Sequence, residues 1–241
     1  MAKLSIAFVG DVYLGFGDAH ELDPGVAALL GGADLVVANQ EGPITERDEP
    51  SVRKCALRTS PPMVEVLRSW GVGAVTLANN HMFDFGVEGF ADTCRNLERV
   101  GIRWFGAGRD LAEAIRPAVI EVKGVRVGLL GFAWEFVQTT CASPNRFGCA
   151  PLEEELMLEA VRKARAEVDL LFVLPHWGYC DHKYPLPEQV RLAQRLLEAG
   201  ASAVVGSHSH VLQGMLLRPG GPVLFSLGDF AFAEYIHQGR R

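Results

Sequence analysis

Leu170-Leu-Phe-Val-Leu-Pro175 is a nearly unbroken apolar run of strand length that leads directly into His176-Trp177-Gly178. From Pro187 to Ala199 the apolar residues recur every three to four positions, the period of a helix with one buried face. Ala203-Val-Val-Gly206 is again short and apolar, and it opens onto Ser207-His208-Ser209-His210. Strand, helix and strand in succession make an α/β unit. The same alternation spreads to both sides. Leu4–Val9, Leu35–Asn39, Ala74–Leu77, Val125–Phe132 and Val223–Ser226 read as further strands, and Pro62–Trp70, Gly86–Val100 and Glu153–Glu167 as helices. Strands this apolar are covered on both faces, by helices or by a second sheet. Periodicity does not choose between those covers.

The 241 residues, 49% hydrophobic and 22% charged, suffice for one sizeable core, and no linker, low-complexity run or repeat divides them. Residues 1–241 are therefore expected to form a single domain. Twenty-three Lys and Arg stand against 29 Asp and Glu, a formal −6 with no basic stripe, which argues against nucleic acid as a partner. The opening residues lack a signal-peptide h-region and read as a first strand. The longest mostly apolar stretch, Val125 to Val137, contains Arg126 and Glu135 and falls short of the roughly 20 residues that span a bilayer, so no membrane span is expected. Five cysteines with no C-x-x-C pair fit a reducing compartment, and the expected location is cytoplasmic. Cys141 and Cys149 bracket a short loop and would be the pair to join under oxidation; the alternative is unpaired thiols. Gly106-Ala-Gly108 has neither the length nor the flanks of a nucleotide loop, so dinucleotide and ATP binding are unsupported.

Polar residues with chemical capacity sit at strand ends. Asp11 follows the first strand, Glu41 the second, Asn79-Asn80-His81 the third, His176 the run at Leu170, and His208 and His210 the run at Ala203. In α/β sheets the loops at the carboxyl ends of strands converge, so these segments are expected to meet in one cleft. If the chain stays extended past Gly206, His208 and His210 point the same way with Cβ atoms roughly 7 Å apart. Carboxylates, an amide carbonyl and imidazoles together suit Mn, Fe or Zn, and the lack of cysteine among them disfavours a structural thiolate zinc site. Trp177 and Phe83 flank these positions; Trp177 either lines a substrate groove or packs the strand end. Cys180 and His182 follow His176 closely enough to enter the cleft. Arg53, Lys54, Arg58 and Lys183 lie in loops and read first as solvated cations, with a substrate anion as their other use.

The strings Gly10-Asp11-Val-Tyr-Leu14, Ala38-Asn39-Gln40-Glu41-Gly42-Pro43-Ile44-Thr45, Leu77-Ala-Asn-Asn-His81-Met-Phe-Asp84-Phe-Gly86, Pro175-His176-Trp177-Gly178, Gly206-Ser-His-Ser-His-Val-Leu-Gln213 and Phe225-Ser-Leu-Gly-Asp-Phe-Ala-Phe232 resemble the CapA family of poly-γ-glutamate capsule synthesis proteins. Their order runs from about residue 4 to 232. That family in turn resembles the calcineurin-like metallophosphatases, which implies a four-layer αββα sandwich with one or two divalent ions at the strand ends. Carried over, the resemblance gives one ion Asp11, Glu41 and His210, and the other Glu41, Asn80, His176 and His208, with Glu41 bridging. His81 matches the histidine that in those enzymes protonates the leaving group or holds the transition state, with Asp84 as the candidate orienting partner. Two departures stand out. Tyr13 occupies the place of the histidine in the metallophosphatase D-x-H, so the first ion keeps three protein groups and Tyr13 becomes a substrate-facing candidate. Glu41 replaces a bridging aspartate. CapA strings usually also have Asn where Asp229 stands and Pro where Ser209 stands.

The resemblance implies a metal-assisted hydrolase acting on an ester or amide of a polyanionic or peptide-like substrate, linked to poly-γ-glutamate and capsule synthesis. Tyr13 motivates a metal-free alternative, an epimerase or isomerase exchanging a peptide proton between groups such as Asp11, Glu41, His81 and His176. A third reading is a non-catalytic component that binds a glutamyl polymer.

Overall fold

The computed structural model describes residues 3–17, 21–52 and 54–233. One sheet runs in the order β13 (Asp229–Phe232), β1 (Ile6–Tyr13), β2 (Leu35–Gln40), β3 (Val72–Thr76), β4 (Arg103–Phe105), with every neighbouring pair parallel. The other runs β11 (Met215–Arg218), β12 (Gly221–Leu224), β10 (Ala203–Val205), β9 (Leu170–His176), β7 (Val125–Ala133), β6 (Ala118–Val122). Its inner strands are parallel and its two edge strands antiparallel. A small ribbon pairs β5 (Ala107–Gly108) with β8 (Gly148–Cys149).

Alternation within each strand supplies the cover that periodicity left open. On β2, Leu35 and Val37 face a central apolar layer with Val127, Leu129, Leu174 and Val205 of the other sheet. Val36 and Ala38 face the opposite way, onto a layer containing Leu30 of α1 (Pro24–Gly31), Leu67 of α2 (Val64–Ser69) and Leu97 of α3 (Gly86–Arg99). In the second sheet Leu171 and Val173 pack on α5 (Glu154–Arg165) and α6 (Pro187–Glu198), while Phe172 reaches inward, its ring tilted against that of Phe8 with centroids 4.9 Å apart. The short α4 (Leu111–Ala114) is capped by Asp110, whose carboxylate accepts from the Glu113 amide. Helix, sheet, sheet, helix is the four-layer αββα sandwich, and each fully buried aliphatic in its central layer contributes about 1.5–3 kcal/mol.

Several boundaries differ from expectation. β1 continues past Val9 to Tyr13, so Asp11 lies inside the strand rather than after it; the register on β2 shifts between Phe8 and Asp11, and the chain resumes pairing at Asp11 with Asn39. The expected helix Pro62–Trp70 divides into a 3-10 turn, Pro61–Met63, and α2. Cys141 and Cys149 are free thiols, their backbones joined by a β-bridge. Among the described residues no helix is long and apolar enough to cross a membrane.

Candidate metal centre

Six residues from the two sheets converge at one end of the sandwich. Asp11 comes from β1, Glu41 from the residue after β2, Asn80 from the turn after β3, His176 from the last position of β9, and His208 and His210 from the turn after β10. Asp11, Glu41 and His176 are completely buried, and His208 nearly so. Around His176 Nε2 stand Asn80 Oδ1 at 2.9 Å, His208 Nδ1 at 3.0 Å and Glu41 Oε1 at 3.6 Å. Donors held about 2.1 Å from one ion lie about 3.0–3.5 Å from each other, so this spacing is that of a ligand shell. Glu41 Oε1 is buried with no hydrogen-bond partner, a cost that a cation would remove. Asp11 Oδ2 lies 3.7 Å from His210 Nδ1, and Asp11, His210 and Asp229 hold their ligand atoms within 4.8 Å of one another. The donor set therefore fits divalent ions of the Mn, Fe or Zn kind.

Charge in this pocket is arranged for a cation as well. Burial pushes the Asp11 carboxyl up to about 6, against the pull of its bond to Asn39. Burial and then the Asp11 charge hold Glu41 well above the ordinary carboxylate range. His176 is held well below the imidazole range by burial and by its histidine neighbours, and burial takes His208 down to about 3. Neutral imidazoles present lone pairs, which is the state a metal requires. Burial acts against protonated His210, yet its hydrogen bonds with Asp229 and Cys180 and the charges of Glu41 and Asp11 carry it up to about 11.

The turn at Ser207 to His210 is not extended. His208 has φ 92° and His210 φ 57°, so the chain coils back and sets the two rings 6.0 Å apart. Left-handed backbone at a non-glycine residue is held only by its surroundings; here the His208 amide donates to Asp11 Oδ2 at 3.2 Å and Ser207 Oγ lies 2.9 Å from His176 Nδ1. Asn39, which sequence reasoning passed over, is central. Its Nδ2 donates to Asp11 Oδ1 and to Glu41 Oε2, both at 2.7 Å, and its Oδ1 accepts from Asn79. A polar residue two places before Glu41, also at the carboxyl end of β2, was the available signal. Asp229, known beforehand only as a departure, holds His210 Nδ1 at 2.8 Å.

At the rim, His81 Nδ1 sits 2.6 Å from Asp84 Oδ2. Burial lowers the His81 value, with the Asp84 bond opposing. Asp84 also accepts from the Leu57 amide at 2.8 Å, and Lys54 Nζ stands 3.3 Å from its other oxygen while donating to the Asn80 carbonyl. Lys54 is thus a half-buried strut and not a solvated cation. Arg58 lies over Phe16 and pairs with Asp48, Lys183 is exposed, and Arg53 lies outside the described residues. Both flanking aromatics are packed. The Trp177 indole is in the core and donates to the Phe225 carbonyl at 2.9 Å, and Phe83 stacks on Phe90 beneath α3. Tyr13 rests on Phe232, which also meets His210 edge-on, so the Tyr13 ring lies one ring removed from that candidate ligand.

Residues 5–234 match the family model described as bacterial capsule synthesis protein PGA_cap. The chain belongs to that family. PGA_cap relatives include the capsule biosynthesis protein CapA of Bacillus anthracis, 30% identical over 96% of this chain and 60% of that protein. The PGA biosynthesis protein CapA of Bacillus subtilis (strain 168) is 30% identical over 96% of this chain and 64% of that protein. The chain therefore spans less than two thirds of the length of these curated relatives. Among solved structures, a 5'-nucleotidase precursor from Thermus thermophilus superposes with TM-score 0.59 at 20% identity, covering 93% of this chain and 49% of that one. The NAD nucleotidase of Haemophilus influenzae gives TM-score 0.59 at 14% identity, covering 93% and 45%. At such identities the likeness is one of fold, and it places this PGA_cap chain in the metallophosphatase-like sandwich.

Proposed function

We propose that this chain is a metal-assisted hydrolase that cleaves an ester or amide in a polyanionic or peptide-like molecule, in the service of poly-γ-glutamate or capsule synthesis. The carrying observation is the meeting of Asp11, Glu41, Asn80, His176, His208 and His210 at one end of the sandwich, with Asn80, His208 and Glu41 around His176 Nε2, His210 beside Asp11, and Glu41 Oε1 buried without a hydrogen-bond partner. The names of the relatives, both capsule or PGA biosynthesis proteins, support the biological setting. The reading takes residues 1–241 as one domain, because both sheets contribute ligands, and the free thiols fit a cytoplasmic, reducing location.

The six residues named would hold one or two divalent ions, and such ions, when bound, supply Lewis-acid activation. The protein's own groups do the rest. Asn39 fixes both carboxylates through one amide nitrogen. Asp84 accepts from His81 Nδ1 and so sets the tautomer, leaving Nε2 to exchange a proton with the departing oxygen or nitrogen of the substrate. Lys54 pairs with Asp84 and ties it to the Asn80 backbone, which links the proton-transfer pair to a ligand. The test is a panel of phosphoesters and glutamyl peptides offered to protein loaded with Mn or Zn. His81→Ala should lose about 10²–10⁴-fold in kcat with metal content unchanged. Full turnover in that variant, or turnover that survives complete chelation, removes the reading.

A further inference from the structure

Trp177 follows His176 at the end of β9 and points to the opposite face, so the strand end that offers His176 to an ion also walls a cavity in the outer, helical layer. The cavity measures about 190 Å³ and is lined by Trp134, Leu152, Trp177, Leu186, Leu192 and Gln189; none of the six ligand candidates borders it. Gln189 is only 5% exposed. Its Oε1 accepts from the Leu186 amide at 2.7 Å, which fixes the orientation of the side-chain amide. The other end, Nε2, is buried and has no hydrogen-bond partner among the described residues. A buried donor left unpaired is a standing cost that an acceptor carried by a ligand removes. Gly178, at φ 88°, lines the same cavity and lies against this amide, where a Cβ would come within 3.1 Å of Nε2.

The charges around the cavity favour a neutral acceptor. Arg191 lines it together with Glu154 and Glu188, and Glu154 is already paired with Arg195. No surplus positive charge remains for a carboxylate or phosphate. A carbonyl to receive Gln189, and an apolar stem against the aromatic and aliphatic walls, is the chemistry of a peptide amide with an aliphatic side chain. Rings also lead from the cavity toward the histidine turn. Trp134 lies 5.4 Å from the half-exposed Tyr179 and Tyr179 lies 5.5 Å from His182, centroid to centroid, while Cys180 of the same loop has its Sγ 3.8 Å from His208 Nε2.

We propose that this cavity binds a neutral peptide amide bearing an aliphatic side chain, and that it serves the metal centre as a subsite for a part of a peptide-like substrate remote from the bond that is cut. Its use as a subsite rests on the hydrolase reading above; its occupancy does not. The full chain, labelled with nitrogen-15 and free of metal, is titrated with N-acetyl-leucine methylamide while the Gln189 side-chain amide resonances are followed. They should move to saturation. Gln189→Glu keeps the oxygen that accepts from Leu186 and removes the donor, so it should weaken the probe about tenfold or more. Leu152→Trp, which fills the cavity from its rim, should block the probe, and circular dichroism reports whether each variant is folded. A probe that leaves the Gln189 resonances unmoved, or that binds either folded variant as well as wild type, overturns the site. Equal or tighter binding of N-acetyl-leucine, which ends in a carboxylate, overturns the choice of a neutral ligand. With zinc loaded and glutamyl and leucyl peptides supplied, turnover without any response at Gln189 overturns this proposal alone. Probe bound in the cavity with no peptide turned over overturns the hydrolase reading and leaves the binding site standing.

Discussion

Asp11 and Glu41 share one amide nitrogen and little else, and that crowding is what makes a cation welcome. Their folded values lie above those of the unfolded chain, so the native state holds these protons more tightly. The stabilisation is complete below the unfolded carboxylate range and is lost as pH rises through about 6 for Asp11 and higher for Glu41. Glu41→Gln removes one of the two titrations. Metal-free Glu41→Gln should match wild type near pH 4 and then melt progressively higher, reaching a gain on the order of 2 kcal/mol by pH 7.5. Thermal melts with a chelator across that range check this, and a constant difference at all pH values would contradict it. The same sign governs the wild-type ion. Ligation needs the ionised carboxylates, so apparent affinity for a divalent ion should fall as pH drops through 6, by about tenfold per unit for each proton displaced. Calorimetric titrations at pH 5, 6 and 7 in matched buffers read the slope directly. A flat profile would mean that Asp11 is not a ligand.

Strand ends carry the site, and they are aligned by a ladder of asparagines as much as by the sheets. Asn39 at the end of β2 binds both carboxylates and receives Asn79, whose own amide donates to the Gln40 carbonyl at 2.7 Å. Asn39→Ala would leave two buried carboxylates short of a donor. It should cost about 1–3 kcal/mol in stability and about 10–100-fold in metal affinity, read by denaturant melts and metal competition. Stability lost with affinity intact would reduce Asn39 to a structural role. Gly206, at the exit from β10, is as tightly constrained: a Cβ there would strike the Phe225 carbonyl and the Trp177 indole. Gly206→Ala should displace the histidine turn, lowering metal affinity together with stability. The candidate ligands were legible because they lie at or near the carboxyl ends of apolar runs. Asn39 was not, because it reads as the last residue of a strand, and the carboxylate of Asp11 that it holds comes from the neighbouring strand β1. The conformation at His208 and His210 was also hidden. Two-residue spacing suggests an extended chain, and only the packing of Asp11, Ser207 and Asp229 around the turn holds it left-handed.

The two sheets face each other across an apolar layer that ends where the ligands begin. Strand order and alternation in the sequence established an α/β protein with doubly covered strands. They left the second cover open, because a helix and a sheet bury the same side chains; the resemblance supplied the sandwich, and the Leu35, Val37, Leu129 and Leu174 layer shows it physically. Asp11, Glu41 and Asn80 belong to one sheet and His176, His208 and His210 to the other, so a bound ion clips the sheets together at that end. Its effect should therefore be shared. Binding only the native state, an ion at 100 times its dissociation constant adds about 2.7 kcal/mol to stability. Amide exchange should slow at the carboxyl ends of β1 and β2 and, by a similar factor, at those of β9 and β10. Slowing confined to one sheet would mean that the ion is held by that sheet alone, and that the convergence seen between the sheets is not a working site.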